Sequence, residues 1–207
     1  MEDKIRRPLE TEWEDCAALI YESGPRLFNY MTKLSRYEIY DFFHICFNFP
    51  GNYYSLRNIV VLESEGKIRG LLVSYPHKES NGMAKQMKLC GKQFVKEIGL
   101  FKMLRMLPGM RLNRFMPDIK DDEYFIASLA VYQMHRSKGI GTKLLDEAVR
   151  LARERKFKKI SLCVDVDNYA ACDLYKKFGF KEVKTTILPK KYKKHNLIGF
   201  IKMVKNV

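Results

Sequence analysis

No apolar run in this 207-residue chain approaches the roughly eighteen residues that a membrane-spanning helix requires, so membrane insertion is not expected. The opening residues, MEDKIRRPLE, hold no apolar core and do not read as a secretory signal. The five cysteines, Cys16, Cys46, Cys90, Cys163 and Cys172, are scattered, odd in number and free of C-x-x-C spacing. That pattern predicts reduced thiols and a cytoplasmic location in preference to disulfides or zinc. His44, His77, His135 and His195 are equally dispersed, and no metal site is expected. No internal repeat or low-complexity segment breaks the chain, so residues 1–207 read as one domain.

What is present is an ordinary globular composition, 46% hydrophobic, with an uneven charge. The formal net charge is +14, yet residues 1–75 carry nine Lys+Arg against eleven Asp+Glu, a balance of −2. The remaining residues carry 29 against 13, or +16. A basic C-terminal part suits a ligand with several phosphates, and equally an acidic substrate or nucleic acid. No motif for nucleic acid is visible and lysine-rich faces are usually solvated, so nucleic acid is not the expected partner.

The stretch 124–180 organises the rest. Residues 124–131 form an apolar run short enough for a buried strand. A polar turn ends in Arg136-Ser137-Lys138-Gly139-Ile140-Gly141, and Leu144, Leu145, Ala148, Val149, Leu151 and Ala152 then recur at helical spacing. A second strand over 159–164 leads to a second amphipathic helix that stops at Gly179. The unit is strand, glycine turn, helix, strand, helix.

The turn is where chemistry enters. A helix starting at Gly139 leaves its first N–H groups without intrahelical partners and adds the positive end of its dipole, an arrangement that binds phosphate. Gly139 and Gly141 have no Cβ to hold an anion away from the backbone, Arg136 and Lys138 add charge, and Thr142 adds a hydroxyl. A G-x-G alone would be read as a tight turn whose glycines only relieve sterics; the basic residues and the downstream elements favour the binding site. The spacing is not that of a dinucleotide fold, because Leu144 stands where G-x-G-x-x-G needs its third glycine.

Arg136-x-x-Gly139-x-Gly141 resembles the Q/R-x-x-G-x-G/A signature of the GCN5-related N-acetyltransferase (GNAT) superfamily. Asn168, Ala171, Leu174, Tyr175 and Gly179-Phe180 resemble that family's N-x-x-A-x-x-L-Y-x-x-x-G-F helix. The resemblance implies an α/β (α+β) GNAT fold: a central mixed, mostly antiparallel twisted sheet of six to seven strands flanked by helices. It implies acetyl-CoA as acyl donor, a primary amine as acceptor, direct transfer in a ternary complex, no metal, and a monomer or homodimer. In that reading Leu129, Ala130 and Val131 pair with the pantetheine arm. The backbone of Arg136, Ser137, Lys138, Gly139, Ile140, Gly141 and Thr142 holds the pyrophosphate. Asn168 and Ala171 border the pantetheine, and Tyr175 is the general acid at the CoA sulfur. From spacing alone, Asn168, Ala171 and Tyr175 share one helix face; the plainer role for Tyr175 is a packed aromatic beside Leu174 and Phe178.

Around this unit, residues 5–9 read as an edge strand, and Thr11 with Glu14 as a capping box opening a helix to about Glu22. A helical piece covers 26–34, and Ser35 with Glu38 repeats the box for a helix through Ile45. The family analogy places substrate-facing residues here, with Phe42, Phe43, Phe47, Phe49, Tyr53 and Tyr54 as candidates, although core packing is the plainer reading for most. Residues 59–63 and 68–75 form a hairpin. The stretch at about 76–121 departs from compact family members as a helical insertion. There Met83, Met87, Phe94, Ile98, Phe101 and Leu104 lie on one apolar stripe amid lysines, and Pro108-Gly109 breaks the helix. A basic amphipathic helix can mark a membrane or partner surface; packing over the acceptor site, with methionines as an adaptable wall, is preferred. Residues 181–188 and 197–204 form the closing hairpin around a charged, solvated loop, 190–194.

An attacking amine must lose a proton near neutral pH, and a carboxylate or ordered water usually takes it. The family's strand glutamate is absent, since Phe125 and Ala127 occupy its places. Glu123 is the catalytic candidate at the strand entrance, with Asp165 or a water chain as the other options. That absence keeps open an acyl-CoA-binding regulatory module without catalysis, and the charge keeps open a basic RNA- or ribosome-associated protein.

Overall fold

A computed structural model describes residues 3–49, 52–79, 82 and 91–207. Its centre is a seven-stranded sheet of β1 (Lys4–Arg6), β2 (Ile59–Ser64), β3 (Lys67–Pro76), β4 (Glu123–Val131), β5 (Lys159–Asp165), β6 (Lys181–Ile187) and β7 (Gly199–Asn206). The spatial order is β1-β2-β3-β4-β5-β7-β6. The β4–β5 pair is parallel and the remaining pairs are antiparallel. This is the mixed, mostly antiparallel sheet that the sequence implies.

Helices α1 (Trp13–Ser23), α2 (Pro25–Thr32) and α3 (Arg36–Asn48) precede β2. Helices α4 (Gly91–Ile98) and α5 (Leu100–Met110) lie between β3 and β4, α6 (Ile140–Glu154) follows β4, and α7 (Tyr169–Phe178) follows β5. Alternation along the strands divides the core. Val60, Leu62, Leu72, Tyr124 and Ile126 face Leu144, Leu145 and Ala148 of α6, whereas Ile59, Val61, Leu71 and Val73 face Ala17, Ile20, Ile39 and Phe43 of α1 and α3. Both faces are covered, so β2 and β3 are apolar on consecutive residues where a one-sided sheet would alternate.

The feature that positions the site is a split in the sheet. Pairing between β4 and β5 is confined to Glu123–Ile126 opposite Lys159–Leu162. Beyond that point β4 continues on β3 and β5 continues on β7. A bulge sits at the same place: Val73 pairs with Ser128 and Ser74 with Ile126, leaving Ala127 over. Bulges bend and twist the strand that carries them, and here the bend turns the second half of β4 away from β5.

Several expectations are corrected in detail. Thr11 does not cap α1; Glu12 instead accepts from the Leu9 N–H (2.7 Å) while bound to Arg6, and a short 3-10 turn leads into the helix. The longer reach of Glu12 toward Arg6 wins over the local Thr11–Glu14 pair. Ser35 and Glu38 do form their box, with the Ser35 N–H donating to Glu38 Oε2 at 2.9 Å. The apolar stripe of the insertion is broken by Gly99 (φ +88°), which separates α4 from α5. Phe94 and Ile98 are consequently buried, while Phe101 and Leu104 face outward with Leu100 and Leu107, each more than half exposed. Met83 and Met87 lie outside the described residues. Pro108 and Gly109 sit within α5 and do not end it. Gly109 is buried because α5 crosses α2 there: a Cβ would fall on the Met31 carbonyl group. The charged loop is a 3-10 turn, Lys190–His195, pinned by Tyr192, which packs with Leu112, Leu188, Leu197 and Phe200.

Candidate functional site

Two cavities open at the split. The first, about 490 Å³, runs between the second half of β4, the glycine turn and α7. Leu129, Ala130, Val131, Arg136, Ser137, Gly139, Ile140, Gly141, Thr142, Asn168, Ala171 and Tyr175 line it, so the structure brings together these sequence candidates and leaves Lys138 on the exposed outer side of the turn. Glu22, Ser23, His135, Ala170 and Leu174 also line it, and the sequence reading did not single them out as site residues. Leu174 carries a spacing signal; Glu22 and Ser23 arrive from α1 through tertiary packing, for which no local pattern exists.

The main chain supplies the polar groups. The Tyr132 N–H donates to the Arg69 carbonyl across the β3 ladder at 3.0 Å. Alternation along an antiparallel strand therefore turns the main-chain groups of Val131 and Leu129 away from β3, into the gap that β5 has vacated. The Arg136 Nε donates to the Val131 carbonyl at 3.0 Å and ties the turn to the strand. Gly139 caps α6 at φ +79°, a conformation that a Cβ strains, and no side chain caps the helix. The first intrahelical bond runs from the Lys143 N–H to the Gly139 carbonyl at 3.0 Å, so the N–H groups of Ile140, Gly141 and Thr142 precede the ladder. The two glycines differ in role: space beside Gly139 is open, whereas a Cβ on Gly141 would press on Leu174 at 3.2 Å. Gly141 thus lets α6 and α7 approach.

Asn168 is the N-cap of α7, its side-chain oxygen accepting from the Ala171 N–H at 3.3 Å. The Tyr175 ring stands edge-on to Phe180 and is buried, which pushes its phenol up to about 12. Glu123 lies elsewhere. It is buried at the other end of β4, where Lys202 Nζ contacts it at 2.9 Å and the Lys120 N–H donates to it at 3.3 Å. Six residues of strand separate it from Leu129, about 20 Å, and it lines neither cavity.

The second cavity, about 450 Å³, continues from the first through Ser23, Leu129, Asn168, Ala171 and Tyr175, which border both. Its walls are Leu27, Phe28 and Met31 of α2, Phe42 of α3, Tyr53, Tyr54, Tyr75 and Phe125, with Met106, Met110 and Met116 across the top. Of the early aromatics, Phe42, Tyr53 and Tyr54 reach this cavity, whereas Phe43, Phe47 and Phe49 belong to the core. Asp165 is its lining carboxylate among the described residues. Burial raises the Asp165 carboxyl above its ordinary value, opposed by Arg26, whose Nη2 donates to it at 3.0 Å. The same guanidinium holds Asp167 (2.7 Å) and keeps that carboxyl low. Among the described residues no cluster of His, Cys, Asp and Glu is arranged to hold a metal ion, and no helix is long and apolar enough to cross a membrane.

With this geometry in place, similarity to known proteins can be stated. The family model described as the acetyltransferase (GNAT) family matches residues 28–180. An N-alpha-acetyltransferase of Sulfurisphaera tokodaii is 43% identical over 60 residues, 28% of this chain and 36% of the relative. The chain thus spans about a third of the length of the curated relatives that it matches. An N-acetyltransferase from Staphylococcus aureus has a similar structure, with TM-score 0.70 and 24% identity, covering 98% of this chain and 100% of that one. A second acetyltransferase structure gives TM-score 0.71 at 23% identity, covering 99% of each chain. At those identities the structural likeness establishes the fold.

Proposed function

The chain belongs to the acetyltransferase (GNAT) family, and from that premise we propose that it transfers an acetyl group from acetyl-CoA to a primary amine by direct attack in a ternary complex. The observation that carries the reading is the continuity of two cavities at Tyr175, one walled by main-chain donors and the other by side chains. Acetyl-CoA would supply the activated acyl group as a thioester. The N–H groups at the start of α6 and the Arg136 side chain fit a diphosphate, and the main-chain groups of Leu129 and Val131 fit an amide-bearing arm laid along β4 as an added strand.

The chain's own residues then have defined tasks. Asp165, raised by burial, takes a proton from the incoming ammonium so that a neutral nitrogen attacks. A new N–C bond forms, the C–S bond breaks, and the departing thiolate takes up a proton. The Val131 N–H faces the carbonyl oxygen as it gains negative charge. Tyr175 donates a hydrogen bond to the sulfur. Its phenol is a weaker acid than an ordinary thiol, so it stabilises the charge of the leaving thiolate and final protonation comes from solvent.

Calorimetric titration with CoA tests the premise. Saturable binding in the micromolar range is expected, weakened by replacing Arg136 with alanine. Absence of binding would sink the enzyme reading.

A further inference from the structure

We propose that the acceptor is an amine with no second charge, whose remainder is apolar and of aromatic or alkyl character. This inference rests on the acetyl-transfer reading and names the substrate class of its second cavity. Three observations converge. The walls are mostly rings and thioethers, Phe28, Phe42 and Phe125 with Met106, Met110 and Met116, and the polar side chains among them, such as Thr32, Asn113 and Ser128, are neutral. Neither lysine nor arginine lines the space among the described residues, and the nearby guanidinium of Arg26 already serves Asp165 and Asp167. A carboxylate or phosphate on the acceptor would therefore be drawn from water with no cationic partner among the described residues, which is costly. Asp165 is the lining carboxylate among the described residues, and it serves the reacting amine; a second ammonium would likewise have no counter-charge among them.

The roof adds a size and shape limit. It is fixed to α2 and its C-cap by the close approach of Gly109 to Met31 and by Arg105 donating to the Lys33 carbonyl, and to α3 by Lys102 near Glu38 (3.8 Å). A cavity of about 450 Å³ holds a small ring or a short alkyl chain with room to spare. Methionines line it as flexible apolar contacts that accommodate more than one such shape.

Matched acceptor pairs give the test, read as CoA thiol release by the full chain. 2-Phenylethylamine and phenylalanine differ by one carboxylate; hexylamine and 1,6-diaminohexane differ by one amine. The uncharged-tail member of each pair should show kcat/KM about a hundredfold higher, since an unpaired buried group is rejected strongly. Met106→Trp should raise KM for 2-phenylethylamine about tenfold while the Kd for CoA stays within twofold. Equal or reversed preference within either pair overturns the proposal, as does selective acetylation of a lysine peptide. Should CoA itself fail to bind, the acetyl-transfer reading falls separately; direct calorimetric titration of the four acceptors then decides the cavity's preference, the same order supporting the proposal and any other order overturning it.

Discussion

The two cavities that meet at Tyr175 are built from different materials. One is made of main chain: unpaired groups of β4, the first N–H groups of α6, and a left-handed glycine between them. The other is made of side chains that come from α1, α2, α3, α5 and α7, from β3, β4, β5 and β7, and from the turns between them. Main-chain donors sit where secondary structure puts them, and any sequence able to form the split strand and uncapped helix offers the same groups. A side-chain wall has no such constancy, so one frame can keep a single donor while its acceptor changes with each substitution. On the proposed acetyl-transfer reading, specificity resides in the second cavity and positioning in the first.

The sharpest break would come from Asp165→Asn, which alters the side-chain cavity alone. A fall in kcat/KM of about a hundredfold or more is expected for loss of a general base, with donor affinity unmoved. Because burial holds this carboxyl above its ordinary value, the wild-type rate should fall as pH drops through that raised value. The substitution should erase that acidic limb; a limb that persists would leave a water relay as the base. Next in size, Glu123→Gln touches neither cavity. Removing one partner of its buried pair with Lys202 leaves a charge uncompensated and costs about 3–5 kcal/mol, roughly 10 °C in Tm. Activity at 20 °C should survive, and a large fall in kcat would return Glu123 to the chemistry.

Tyr175 lies on the seam. Phenylalanine there should lower kcat by roughly a hundred- to a thousandfold with KM for both substrates little changed, the cost of losing one hydrogen bond to developing charge. Unchanged turnover would reduce Tyr175 to a packed ring against Phe180. The smallest expected effect falls on the main-chain side: Gly139→Ala forces a Cβ into φ +79°, at about 1–2 kcal/mol. Donor Kd should rise about tenfold while acceptor KM stays fixed. If both constants move together, the two cavities are not separable in the way proposed.

The same division explains what the sequence disclosed. Arg136, Gly139, Gly141, Asn168 and Tyr175 sit on one local strand-turn-helix-strand-helix unit, so their spacing alone places them on shared faces. The centre of the sheet was legible for a similar reason, since β2, β3, β4 and β5 each carry an apolar run. The acceptor wall was not. Ser23, Phe28, Met31, Met110 and Met116 meet only because α1 and α2 cross the sheet and the insertion folds back over it. Gly99 shows the difficulty in miniature: helical periodicity continues through it in the residue pattern, yet its positive φ redirects the axis and sends Phe101 and Leu104 outward. Glu123 was tempting because it adjoins the key strand, but its partner Lys202 is 79 residues distant.

The seat of Gly109 on the main chain of Met31 has a consequence for redesign. A helix that rests on another backbone has no slack at that point: even one added methyl would lever the roof upward. Engineers seeking to admit a bulkier nucleophile should leave this fulcrum untouched and trim Met106, Met110 or Met116, where shortening a thioether enlarges the chamber without moving the lid.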